Sequence, residues 1–209
     1  MITILAVIVI GYLLGSIPTG VWIGKWAKGI NIRAEGSKST GATNVFRLLG
    51  AKLAILVLLI DIAKGFFACL IASRINLGDI MLSPEQLAMI AGLAAVFGHL
   101  FPLLANFKGG KGVATGAGML LFLIPMELGF GLVVFVFSLL LTRYVSLSSI
   151  LSTAFILTGI ALEKFALRYA VGNEVFILCC ITLILILYTH RANIRRLING
   201  TENKLGAKK

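Results

Sequence analysis

Acidic residues are scarce in this chain. There are 8 Asp and Glu against 19 Lys and Arg, and charged residues make up only 13% of its 209 positions. Average soluble domains carry about 25% charged residues. A soluble fold of this size needs amphipathic segments to present a polar exterior, and most apolar blocks here have no such pattern. Lipid is therefore the expected solvent. Alternating strands of ~10 residues are missing, which excludes a transmembrane β-barrel and leaves helices, because hydrocarbon offers backbone amides no partner. Cysteine is rare too. Cys69, Cys179 and Cys180 lie in apolar blocks without C-x-x-C or metal-ligand spacing, so they are expected to pack as small hydrophobes, and no metal is expected. No basic segment precedes Ile2, so the first block is expected to be a retained helix and not a cleaved signal. There is no Pro- or Ser-rich linker, no solenoid repeat and no evident likeness between the two halves. One transmembrane domain over residues 1–209 is expected.

What is present is hydrophobic: 59% of residues, with a mean hydropathy of +1.02. Seven candidate spans are read at 2–24, 53–73, 86–105, 113–126, 127–142, 146–163 and 174–189. The fourth and fifth form one apolar run, about 45 Å long as a helix against a core of about 30 Å. Pro125-Met126-Glu127 offers the break that makes it two. Placing the N-terminus outside puts 15 of the 19 basic residues on the cytoplasmic side, and only Arg74, Lys164 and Arg168 outside. Five of the 8 acidic residues, Asp79, Glu85, Glu127, Glu163 and Glu174, fall outside. The net charge of +11 is thus a topology signal. The bases are dispersed over several loops with no nucleic-acid-reading motif, so no nucleic-acid partner is expected.

Polar residues gather in clusters that this orientation puts on one side of the membrane. In Asn31–Arg47, Gly36 and Gly41 permit turns, and Ser37, Thr43, Asn44 and Arg47 can all hydrogen-bond an oxyanion. A polar loop anchored in lipid headgroups is the plainer alternative. In Gly98–Thr115, Lys108-Gly109-Gly110-Lys111-Gly112 leads straight into a helical pattern. A glycine-rich turn at a helix N-terminus offers free amides to an anion, and two lysines add charge. It is not a Walker A loop, and a flexible basic turn remains the alternative. In His190–Glu202, His190 and Asn193 share a face if the helix continues; a basic stop sequence explains the arginines equally well. Arg143–Ser149 reads as a cap where serines begin a span. Asp61 and Lys64 are an ionisable pair inside the second span, read as a lock between helices or as the lining of a substrate path.

Taken together, G-S-x-x-x-G-A-T-N-V-x-R (Gly36–Arg47), G-H-L-F-P (Gly98–Pro102), F-K-G-G-K-G-V-A-T (Phe107–Thr115), R-Y-V-S-L-S-S (Arg143–Ser149) and H-R-x-N-I-x-R-L-x-x-G-x-E (His190–Glu202) resemble the acyl-phosphate:glycerol-3-phosphate acyltransferases of bacterial membranes. The resemblance runs over essentially the whole chain. Asn31, where an acidic residue is expected, and Ser39, where Asn is commoner, depart from the pattern. The resemblance implies transfer of an acyl chain from acyl phosphate to the 1-hydroxyl of glycerol 3-phosphate, giving lysophosphatidic acid and phosphate. It implies no cofactor, no acyl-CoA donor and no obligate protein partner beyond membrane lipid. It also implies an all-α bundle of seven spans in the bacterial inner membrane, N-terminus outside, with a cytoplasmic active site. On this reading Ser37, Lys111, His190 and Asn193 are the catalytic candidates. Gly36, Thr43, Asn44, Arg47, His99, Lys108, Gly109, Gly110, Gly112, Thr115 and Ser148 are the substrate-binding candidates.

An H-x-x-x-x-D dyad is absent: Leu104 stands five after His99, and Arg195 five after His190. Acyl phosphate is already an activated anhydride, so catalysis by orientation and charge stabilisation is expected. The glycine loop with Lys108 and Lys111 is expected to hold the donor headgroup. Ser37, Thr43, Asn44 and Arg47 would clamp the other phosphate, and His190 and Asn193 would complete the pocket. His190 as a general base, with Glu202 as a folded partner, is the competing mechanism. A transporter or flippase for a phosphorylated metabolite, or a non-catalytic membrane scaffold, are the competing functions. Only Asp61 and Lys64 favour the transporter.

Overall fold

The computed structural model describes residues 1–78, 81–167 and 171–206. Asp79, Arg168, Lys208 and Lys209, which entered the charge count, lie outside the described residues. Among the described residues there is no strand. The chain divides into two compact units, Met1–Leu123 and Ile124–Lys209.

The first unit holds α1 (Ile2–Gly15), α2 (Thr19–Lys28), α3 (Ala42–Leu49), α4 (Ala51–Ala72), α5 (Pro84–Leu100), a 3-10 turn (Leu103–Ala105) and α6 (Val113–Leu123). The expected span 2–24 is broken in the middle. Pro18 cannot donate a backbone hydrogen bond, and it stands directly before α2. The first polar loop, read as a connection between spans, contains a helix, α3. α5 begins at a capping box of Ser83 and Gln86 with Pro84 in its first turn.

Small residues bring these helices close. A Cβ at Gly11 or Gly15 of α1 would strike the backbone of Ala91 or Ala95 on α5. One at Gly65 of α4 would strike the Thr115 carbonyl, and one at Gly118 of α6 the Ile62 carbonyl. Lipid gives packed helices no hydrophobic drive to associate, so this van der Waals contact is what binds them.

The second unit holds α7 (Pro125–Thr142), α8 (Val145–Ala161) with a π-helical turn (Leu162–Ala166), α9 (Asn173–Thr189) and α10 (Arg191–Ile198). Pro125 opens α7, so the expected break is found. α7 packs on α8 where Gly131 meets Ile156, and the Ser152 hydroxyl donates to the Gly131 carbonyl at 2.7 Å. Val133, Phe137, Leu140 and Leu141 of α7 are exposed, as lipid-facing residues must be.

Among the described residues, five helical stretches are long and apolar enough to cross a membrane; α9 and α10, bent by 62°, make a sixth if counted as one. α6 has 11 residues and is therefore about 16 Å long, half a hydrocarbon core. The protein is an all-α, multi-pass membrane protein.

Candidate active site

Asn44 organises the first polar loop. It is 1% exposed. Its amide nitrogen donates to the carbonyls of Ile32 (2.8 Å), Ser39 (3.0 Å) and Glu35 (3.2 Å), and its oxygen accepts the Ser37 amide at 2.8 Å. Expected as an oxyanion ligand, Asn44 instead has its hydrogen-bonding capacity taken up by the loop backbone. Gly36 turns at φ +60°, and a Cβ there would strike the Asn44 oxygen. Ser37 is thereby left exposed, with Thr43 and Arg47 half-buried on α3. Asn31 accepts from the backbone N–H and Nε of Arg33. Its side-chain carbonyl thus does the accepting that an acidic residue would do there. Arg33, which the motif reading passed over, donates through Nη1 to the Ala105 carbonyl at 2.6 Å, tying this loop to the segment after α5.

The glycine loop follows that segment. The Gly109 amide donates to the Leu100 carbonyl and the Gly110 amide to the His99 carbonyl, both at 3.1 Å. These two amides, expected to be free for an anion, are occupied by the end of α5. The donors left for an anion are those of the first turn of α6, which no carbonyl four residues back can satisfy. Gly112 adopts φ +81° immediately before that turn. Lys108 is exposed and Lys111 half-buried. Thr115 is wholly buried, and its hydroxyl has no hydrogen-bond partner among the described residues.

His99 connects the glycine loop to a buried polar cluster. Lys64 Nζ lies 2.7 Å from His99 Nδ1 and 2.8 Å from Asp61 Oδ1, and donates to the Ile17 carbonyl at 3.2 Å. The Thr19 hydroxyl donates to Asp61 Oδ1 at 3.1 Å. The pair therefore links α4 to α5 and to both sides of the α1–α2 break. Ile17, Thr19, Thr40, His99 and Pro102 line one small pocket with it.

In the second unit, His190 and Asn193 are both buried, 2% and 7% exposed. His190 Nδ1 is 2.9 Å from the Ile186 carbonyl. A carbonyl only accepts, so Nδ1 carries a proton. Asn193 donates to Glu202 at 2.6 Å, as do Ser146 at 2.9 Å and Arg196 at 2.7 Å. Burial alone would push the Glu202 carboxyl up. The hydrogen bonds from Asn193, Arg196 and Ser146, with the Arg196 charge, outweigh it and hold the carboxyl below the ordinary glutamate range. Ser148 is buried and donates to the Tyr144 carbonyl one turn back. Ser146 and Arg196 were not among the candidates, and Glu202 had entered only as a partner for His190; the structure brings all three together with Asn193. Glu202 closes the last quoted motif, and a lone acid among bases was the signal available.

Over residues 5–200 the chain matches the family described as glycerol-3-phosphate acyltransferase. A relative of that name from Chlorobaculum tepidum is 41% identical, over 98% of this chain and 97% of its own. The crystal structure of PlsY, an integral membrane glycerol 3-phosphate acyltransferase, in its glycerol 3-phosphate form is 37% identical with a TM-score of 0.85, covering 97% of this chain and 96% of that one. Its lysophosphatidic acid form gives a TM-score of 0.82 at 37% identity, covering 97% and 95%.

Proposed function

The chain belongs to the glycerol-3-phosphate acyltransferase family, and on that premise we propose that it moves an acyl chain from acyl phosphate to the 1-hydroxyl of glycerol 3-phosphate. The hydroxyl oxygen attacks the acyl carbonyl carbon, the carbon–oxygen bond to phosphate breaks, and the hydroxyl proton ends on the departing phosphate. The products are lysophosphatidic acid and inorganic phosphate. The donor is already activated, so the protein's work is orientation and charge stabilisation, and no cofactor is called for.

The observation that carries this reading is the tie from Arg33 to Ala105. It joins two cation-bearing loops, each suited to one phosphate, on a scaffold of membrane helices. Lys108, Lys111 and the first turn of α6 serve one phosphate. Ser37, Thr43 and Arg47 serve the other, with Asn44 and Gly36 shaping their loop. His190, Asn193 and Ser148 complete the machinery, and both units act as one acyltransferase domain. Asp61 and Lys64, the residues that favoured a transporter, are engaged with Thr19, Ile17 and His99.

The topology belongs to the same proposal. It has seven crossings in a bacterial inner membrane, the N-terminus outside, and the C-terminus and active site cytoplasmic. A C-terminal reporter active only outside would overturn that orientation. For the activity, purified protein is given acyl phosphate and glycerol 3-phosphate, and lysophosphatidic acid is scored. Product with acyl phosphate and none with acyl-CoA is expected; equal rates with the two donors would defeat the donor assignment.

A further inference from the structure

An ionisable pair inside a membrane-spanning helix is costly and faces the protein interior. Asp61 and Lys64 are 2% and 5% exposed, and they already neutralise each other across one turn of α4. A lock between helices needs nothing more. Here Lys64 also reaches a histidine. An ammonium has three protons and no lone pair. Its three neighbours are Asp61 Oδ1 at 2.8 Å, the Ile17 carbonyl at 3.2 Å and His99 Nδ1 at 2.7 Å. The buried Asp61 carboxylate, fixed by the Thr19 hydroxyl, supplies the opposing charge that keeps Lys64 an ammonium away from water. A charged Lys64 meets Nδ1 only where that nitrogen offers a lone pair, so the neutral ring carries its proton on Nε2.

Nε2 is the edge of the ring that lies against the glycine loop. A Cβ at Gly110 would strike it. The main chain of His99 holds the same residue, since the Gly110 amide donates to the His99 carbonyl at 3.1 Å. One residue therefore grips the loop twice, and the orientation of its ring is set from within the membrane span.

We propose that Asp61 and Lys64 are positioning residues for the glycine loop: they lock His99 as the Nε2–H form with that edge on Gly110, and so fix the segment that carries Lys108 and Lys111. The inference rests on the acyltransferase reading of that loop. It predicts that Asp61 and Lys64 affect substrate binding without touching substrate.

The chain has two histidines, so ¹⁵N-histidine labelling yields spectra of two rings, separable with a His190→Asn variant. His99 is expected to carry its proton on Nε2 in the wild type. The double variant Asp61→Asn/Lys64→Met removes both charges together and leaves neither unpaired. In it the tautomer preference is lost, and KM for one of the two phosphate substrates rises about tenfold while kcat changes little. His99→Gln, which keeps an N–H donor, retains more activity than His99→Ala.

A wild-type His99 protonated on Nδ1 overturns the proposal. So does a folded double variant with wild-type KM and kcat. If the double variant does not fold, the wild-type spectrum and the Gln-against-Ala pair decide. The tautomer is read without turnover. A wild type that makes no lysophosphatidic acid therefore overturns the proposed function alone, and the spectrum, with titration of inorganic phosphate onto wild type and variant, still decides the positioning role.

Discussion

Each unit contains one histidine and one carboxylate gripped by donors, and the two sets are built in opposite ways. In the first unit, Asp61 is paired with Lys64, and it is Lys64 that meets Nδ1 of His99. In the second, Glu202 gathers Ser146, Asn193 and Arg196, while Nδ1 of His190 meets a backbone carbonyl. A cation at Nδ1 leaves a proton on the far edge of the ring; a carbonyl at Nδ1 draws the proton to the near edge. On the proposed tautomer His99 donates from Nε2, whereas His190 donates from Nδ1. A neutral carbonyl raises the basicity of an imidazole less than a carboxylate would. The folded partner considered for His190, Glu202, has its oxygens bound by Ser146, Asn193 and Arg196. The proposed function accordingly gives His190 the task of orienting the attacking hydroxyl.

The contrast breaks most visibly at the cations of the first unit. Lys111→Ala is expected to nearly abolish turnover at low substrate while the protein stays folded and inserted, because a charge-assisted contact to phosphate contributes ~1.5–3 kcal/mol. Full turnover by this variant, measured as lysophosphatidic acid formed, removes the glycine loop from the site.

The next largest effect falls on His190. Loss of one orienting hydrogen bond costs about tenfold in His190→Ala, and His190→Asn keeps part of the rate because an amide still hydrogen-bonds. A base would cost ~10²–10⁴-fold in both variants. Rates followed from mildly acidic to alkaline pH separate the two roles. Equal loss in Ala and Asn, with a single histidine-like titration of the wild type, makes His190 the base.

Glu202 tests the second carboxylate. Glu202→Gln keeps the shape and loses the charge, so unfolding should become easier by ~1–3 kcal/mol, read as a lower thermal midpoint in detergent. The pH dependence has a definite sign. The folded carboxyl sits below the ordinary glutamate range, so its stabilisation is full above that range and disappears as pH falls through the lowered value. The wild type should lose this increment in acid, and Glu202→Gln should have none to lose. The smallest effect is expected at Asn31. Asn31→Asp replaces one exposed acceptor of Arg33 with another, and its effect on the thermal midpoint should correspond to less than ~0.5 kcal/mol.

Much of this was legible in the sequence. Apolar runs located the helices, because length and hydropathy are local properties. Glycine, lysine and the His190–Asn193 spacing marked the candidate loops. The break of the first span was hidden because Pro18 sits among apolar residues that kept the hydropathy high. Helix α3 was hidden because it is short and follows a glycine-rich stretch. The tasks of Asn44, Gly109 and Gly110 were not legible at all. Whether an amide is free or already bonded to a carbonyl elsewhere in the fold depends on tertiary pairing, which no residue type announces.

The contact of Gly11 and Gly15 with Ala91 and Ala95 carries a genetic consequence. Two backbones lie against each other there, and neither has a flexible side chain that can yield. Replacing either glycine with alanine adds one methyl group, leaves the hydropathy of α1 essentially unchanged, and has no room on the α5 side. A screen for temperature-sensitive growth in a cell that depends on this protein should therefore recover such conservative changes in α1 readily. It should tolerate larger changes of apolar side chain at Leu140 or Leu141, which are exposed.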